Sequence, residues 1–150
     1  MHLISNSTNF NIVSIRDSGC GKNYMVIDSL KSKYMDIHPS LFDDITFDMP
    51  GYVKPEYGHI ADILSWSDGK DDIAVHCTAG VSRSSAVAYL IECKRNGPDL
   101  AIRTLDERYH WPNMRIVRLG AFILKNKDVY ARARKWKKEK EKAYELSELF

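Results

Sequence analysis

Asp72-Ile73-Ala74-Val75-His76-Cys77-Thr78-Ala79-Gly80-Val81-Ser82-Arg83-Ser84-Ser85-Ala86-Val87-Ala88-Tyr89-Leu90-Ile91 passes from an apolar run, through a turn, into a helix-compatible run. Read as strand, loop and helix, it forms a backbone cradle for a tetrahedral oxyanion with a thiol at its floor. The amides of residues 78 to 83 must curl inward on one anion, and Gly80 tolerates the backbone angles that this requires. The helix that follows presents first-turn N–H groups without intrahelical partners, so positive potential gathers at the same point. That potential favours thiolate over thiol at Cys77. Arg83 supplies a planar fork able to bond two oxygens of the anion at once. His76 helps to fix the loop and the thiolate, and Ser84 stands close enough to hydrogen-bond the Cys77 sulfur.

The spacing His76-Cys77-x-x-Gly80-x-x-Arg83-Ser84 resembles the signature of the cysteine-dependent protein tyrosine phosphatases. The short chain is more similar to their compact dual-specificity branch, and to small bacterial predicted tyrosine phosphatases, than to the larger receptor-type domains. The resemblance implies a metal-independent phosphomonoester hydrolase with no cofactor, acting through a cysteinyl-phosphate. Cys77 would be the nucleophile and Arg83 the transition-state clamp. Ser84 would assist thiolate departure. His76, Thr78, Ala79, Gly80, Val81, Ser82 and Arg83 would form the substrate cradle.

The family also uses a general acid, commonly an aspartate some thirty residues upstream. Asp43, Asp44 and Asp48 lie 34, 33 and 29 residues before Cys77. Phe42-x-Asp44-Ile45 resembles the corresponding segment of the bacterial proteins, so Asp44 is assigned, with Asp48 next. Spacing alone does not decide between them. Downstream, Trp111-Pro112-Asn113-Met114 is similar to an element that opens a late helix near the back of the phosphate loop. The pair Pro112-Asn113 reads as a turn and helix start. The family pattern then continues with an aspartate where this chain has Gly120-Ala121.

Thr78, Ala79, Val81 and Ser82 carry no positive charge, which leans toward a phosphotyrosyl protein as substrate and partner. An inositol phosphate or RNA 5′-phosphate is the competing substrate class. A catalytically silent phosphate-binding module is the alternative from another class, and Cys77, Arg83 and an upstream aspartate argue against silence. Rhodanese-like relatives of the loop are disfavoured by Gly80 and the upstream aspartates.

Composition fits one globular domain: 150 residues, 44% hydrophobic, net charge +2. No apolar run approaches a membrane span and no basic-then-apolar leader opens the chain. Three cysteines, an odd number, point to a reducing compartment, the cytoplasm. Cys20 or Cys93 could pair with Cys77, as in some redox-regulated phosphatases, although Cys93 at mid-helix reads as a small buried apolar residue. His2, His38, His59 and His110 show no metal-ligand spacing. Gly19-Cys20-Gly21-Lys22 resembles a nucleotide phosphate loop but lacks its first glycine and its Ser or Thr.

Periodicity predicts strands over residues 11–15, 34–37 and 72–75. It predicts helices over 23–30, 55–66, 84–95, 99–109 and 115–127. The alternation argues for an α/β fold: a central, mostly parallel twisted sheet of four to five strands flanked by helices. The phosphate loop then joins a strand to the central helix. Residues 1–128 are read as the catalytic domain and 129–150 as a basic C-terminal helix or tail. From Lys125 to Lys142, nine Lys or Arg face three acids, while the remainder holds 13 basic against 17 acidic residues. Such a tail either contacts an acidic partner, headgroups or nucleic acid, or is a solvated helix packing Trp136, Tyr144 and Leu149 on the domain. The second reading is preferred, and no interleaved aromatic platform favours nucleic acid.

Overall fold

The computed structural model describes residues 10–20 and 34–149. Among them, a parallel sheet of three strands carries five α-helices. The strands are β1 (Phe10–Arg16), β2 (Tyr34–Leu41) and β3 (Ile73–His76), in the order β2-β1-β3. The described residues therefore reach three strands, not the four to five expected. The expected helix over 23–30 lies outside the described residues.

Both neighbours of β1 run parallel to it, with Ile12 opposite Ile37 and Ala74, and Ser14 opposite Pro39 and His76. A parallel strand between two others is covered on both faces, and β1 is buried from Phe10 to Ile15. Its alternating side chains divide accordingly. Val13 and Ile15 join the main core with Phe42, Val75 and the helices. Phe10 and Ile12 join Ala74 in a second cluster.

The helices are α1 (Tyr57–Trp66), α2 (Arg83–Asn96), α3 (Pro98–Ala101), α4 (Met114–Ile123) and α5 (Lys127–Glu148). Central α2 follows β3 through the loop and is buried nearly all round, with Ala86, Tyr89 and Leu90 at 0% exposure. It ends at Gly97, whose φ of +81° suits glycine and whose N–H bonds the Cys93 carbonyl at 2.9 Å. At the start of α1, Glu56 and His59 make a reciprocal capping box. The Asn113 side chain caps α4 by accepting from the amides of Arg115 and Ile116, as the reading of Pro112-Asn113 expects.

Two expected helices differ. The segment 99–109 is one α-turn and a 3-10 turn over Ile102–Thr104, followed by extended Leu105. The Asp106 carboxylate accepts the Arg108 amide at 2.8 Å, and His110 Nδ1 accepts the Asp106 amide at 2.8 Å. These local bonds outcompete a helical ladder. The helix expected to run to 127 stops at Ile123, because Lys125 turns to φ +51° and Asn126 caps a new helix. The expected boundary at 128/129 falls in the first turn of α5. On that helix Val129 and Ala133 are fully buried and Trp136 packs against the core. Tyr144 and Leu149, expected to pack, are instead 63% and 74% exposed, and residues 141–149 are exposed throughout. No described helix is long and apolar enough to cross a membrane.

Candidate active site

The loop between β3 and α2 lies at the C-terminal edge of the parallel sheet, the edge where α/β proteins gather ligands. Cys77 leaves β3 into the loop, 9% exposed. Its sulfur lies 3.3 Å from Ser84 Oγ on the first turn of α2. Burial pushes the Cys77 thiol up, yet its pKa lies below the ordinary value. The Ser84 hydroxyl and amide, the Gly80 amide and the Arg83 charge together outweigh burial. Gly80 makes this possible with φ +70°. The loop is clamped from behind: Ser85 Oγ donates to the carbonyls of Val81 at 2.6 Å and Ser82 at 3.0 Å. Trp111 and Asn113 donate their amides to the same two carbonyls at 3.0 and 3.2 Å.

Arg83 is 4% exposed. Its Nη1 donates to the Phe42 carbonyl at 2.7 Å and lies 2.7 Å from Asp17 Oδ1. Nη2 donates to Thr78 Oγ1 at 3.3 Å, and Thr78 Oγ1 lies 3.5 Å from Asp17 Oδ2. Buried Nε has no hydrogen-bond partner. A buried guanidinium N–H without an acceptor is costly. His76 is half-buried beside Ser14 of β1; burial, then the charge of Arg16, holds its imidazole pKa below the usual value. Thr78, Ala79 and Val81 form the exposed rim, while Gly80 and Ser82 are half-buried.

The three upstream aspartates occupy different settings. Asp43 is 6% exposed and accepts the Ser18 amide at 3.1 Å, the Ser18 hydroxyl and the Val53 amide at 2.7 Å. Burial raises its pKa, but the bonds from Ser18 and Val53 and the charge of Arg83 bring it below the ordinary carboxylate value. Asp48 is exposed and ion-paired to Lys54 at 2.5 Å. Its carboxyl is held low first by the Lys54 hydrogen bond and then by that lysine's charge. Asp44 alone of the three touches the loop: its Oδ1 accepts from Ser82 Oγ at 2.8 Å and from Asn113 Nδ2 at 2.8 Å. Both bonds fall on one oxygen. A cleft lined by Asp17, Asp44, Ile45 and Tyr52 opens beside the loop.

Sequence reasoning missed Asp17 and the second role of Asn113. Asp17 carried one usable signal, its place directly after a strand at the ligand-gathering edge of a parallel sheet. Asn113 reads as a cap, and nothing in its spacing links it to Asp44. Cys20, Cys77 and Cys93 are free thiols. Burial pushes Cys93 up to about 11.

No family profile and no curated protein matches the sequence. Among solved structures, the chain is similar to Tk-PTP in the active form at 18% identity and a TM-score of 0.45, covering 82% of this chain and 80% of that one. It is also similar to a glycine-to-alanine mutant form of Tk-PTP at 14% identity and a TM-score of 0.42, covering 87% of this chain and 78% of that one.

Proposed function

We propose that the protein is a phosphomonoester hydrolase that works through a cysteinyl-phosphate on Cys77, with phosphotyrosyl proteins as substrate. The observation that carries the reading is the pairing of a buried, ionisation-prone Cys77 thiol with Arg83, whose buried Nε lacks an acceptor. A thiolate held by the Ser84 and Gly80 amides beside a buried guanidinium suits attack on phosphorus more than passive anion storage.

In the first step, the Cys77 sulfur forms a bond to phosphorus as the ester P–O bond breaks. The leaving phenolate oxygen takes a proton from Asp44. Loop amides and Arg83 hold the equatorial oxygens while charge moves between sulfur and oxygen. In the second step, water attacks phosphorus, gives its proton to the Asp44 carboxylate, and the S–P bond breaks. Ser84 receives the departing thiolate with its hydroxyl. Asp44 is chosen over Asp43 and Asp48 because it alone is bonded to the loop, through Ser82. No metal is called upon. The uncharged rim of Thr78, Ala79 and Val81 favours a singly phosphorylated ester, phosphotyrosine before phosphoserine or phosphothreonine.

The test is rapid mixing with an aryl phosphate. The expected result is a burst of one equivalent of phenol followed by steady release of phosphate. A Cys77→Ser variant should still bind vanadate yet release no phosphate; appreciable turnover in that variant would overturn the scheme.

A further inference from the structure

The inner face of α5 changes character along its length. Val129, Ala133, Trp136, Lys137 and Lys140 share that face by helical spacing. The first two are fully buried. Lys137 and Lys140 then turn inward onto Trp111 instead of out to solvent. Their Nζ atoms lie 5.1 and 5.0 Å from the Trp111 ring centre, and Lys140 also lies 5.4 Å from that of Trp136. Trp111 is at the phosphate loop itself, its amide donating to the Val81 carbonyl at 3.0 Å. Lys140 is further tied to the His110 carbonyl. Lys137 makes no ion pair among the described residues, whereas Arg132 pairs with Asp99 at 2.8 Å and Arg108 with Asp106 at 2.9 Å.

We infer that Trp111, Lys137 and Lys140 form a subsite beside the phosphate loop for acidic side chains flanking the phosphorylated residue of a protein substrate. The subsite rests on the phosphatase reading of the loop and names its substrate class more closely. Charge sets the direction. Asp17 and Asp44 border the loop on one side and repel a carboxylate there; Asp106 and Glu107 partly offset Lys140, so the attraction rests chiefly on Lys137. Reach permits the contact, since an extended chain spans about 3.3–3.6 Å per residue and a carboxylate two to four residues away clears the loop rim. A stacked nucleobase fits less well, because the two ammonium groups already engage the Trp111 ring. A polyanion would need the other tail cations, yet Arg134, Lys135, Lys138 and Lys142 lie on a different face, around Tyr130 and Ala131.

The test uses full-length Cys77→Ser protein and two fluorescent phosphotyrosyl peptides. One carries Asp and Glu at two to four residues on either side, the other Asn and Gln at the same places. At low salt the acidic peptide should bind roughly three- to tenfold tighter, as two partly exposed ion pairs allow. The gap should close as salt rises. Lys137→Gln should narrow the ratio and Lys137→Glu should abolish or invert it, while aryl phosphate hydrolysis by Lys137→Glu in the Cys77 background stays unchanged. Equal binding of the two peptides, or a ratio untouched by Lys137→Glu, overturns the subsite, whereas binding of neither overturns the phosphotyrosyl reading on which it rests. So does a larger Lys137→Glu effect on a 5′-phosphorylated oligonucleotide or on anionic lipid vesicles. Failure of the wild type to hydrolyse aryl phosphate would overturn the phosphatase reading instead, and the binding ratio would still report on the subsite.

Discussion

Asp43 and Asp44 are neighbours in sequence with different surroundings: Asp43 is buried and Asp44 is exposed. Asp43 is sealed among Ser18 and Val53, so Asp43→Ala leaves two amides and a hydroxyl unpaired and should cost about 2 kcal/mol. Its folded pKa is depressed, so the stability it contributes is present above the ordinary aspartate value of about 3.9 and fades as pH falls through the lower folded value. The gap between the melts of wild type and Asp43→Ala should therefore be widest at neutral pH and narrow in acid, where Asp43 keeps only the bonds a neutral carboxyl can accept. A gap that stayed constant or widened as pH fell would count against the account. Asp44→Ala should act chiefly on turnover, lowering kcat by about two to four orders of magnitude with a smaller shift in the melt from the lost Asn113 bond. Cys77 permits a third measurement. Its alkylation by iodoacetamide should titrate below the ordinary thiol value near 9.0, and Ser84→Ala should move that midpoint upward. The Cys77–Arg83 constellation was legible because its partners lie within seven residues of each other. Asp17 and Asn113 were not, because they meet Thr78 and Asp44 across 61 and 69 residues of chain. A single sequence carries no signal for such pairs.

Elements were legible where burial periodicity governs them and illegible where side chains compete for the backbone. Helix α2 was readable from its apolar run even though polar Ser84 and Ser85 are buried inside it. The segment 99–109 was misread because Asp106 and His110 satisfy backbone amides locally, a contest that hydrophobic pattern does not register. The glycine at position 120 has a packing reason. A Cβ on Gly120 would fall 2.2 Å from Leu90 Cδ2 and 2.8 Å from Leu90 Cγ, and Leu90 is 0% exposed, so its side chain or the helix backbone must shift. Glycine there lets α4 lie close on α2. Gly120→Ala should lose about 1–3 kcal/mol despite alanine's better helix propensity, a drop of several degrees in Tm for a chain of this size. An unchanged or raised Tm would mean that the two helices separate at little cost. The same substitution also bears on the site, since the N-terminus of α4 holds Asn113 against Asp44.

At the scale of the molecule, α5 divides into a structural half and a projecting half, and charge composition alone did not disclose the division. The expected solvated helix packing Trp136, Tyr144 and Leu149 holds for Trp136 alone, while Val129 is fully buried and its carbonyl accepts the Tyr89 hydroxyl at 2.8 Å from the centre of α2. Beyond residue 140 every described position is exposed. Three truncations separate the halves. Removal of residues 141–150 takes away only exposed or undescribed chain, so melting and aryl phosphate turnover should match the full-length protein. Removal of 137–150 also takes Lys137 and Lys140; turnover of the aryl phosphate should remain while the preference for acidic phosphopeptides disappears. Removal of 127–150 uncovers the seat of Val129 and Ala133 and strips Tyr89 of its acceptor. Lost burial of about 1.5–3 kcal/mol for valine adds to about 1–3 kcal/mol for an unpaired buried hydroxyl, a large share of the roughly 5–15 kcal/mol that holds a domain together. That last variant should therefore melt far below the others or fail to fold. Tyr89→Phe in the full chain isolates the hydroxyl's part, with an expected loss of about 1 kcal/mol. If the 127–150 deletion melted with the full-length protein, α5 would be an appendage, and the inward lysines would have no fixed position from which to read a substrate.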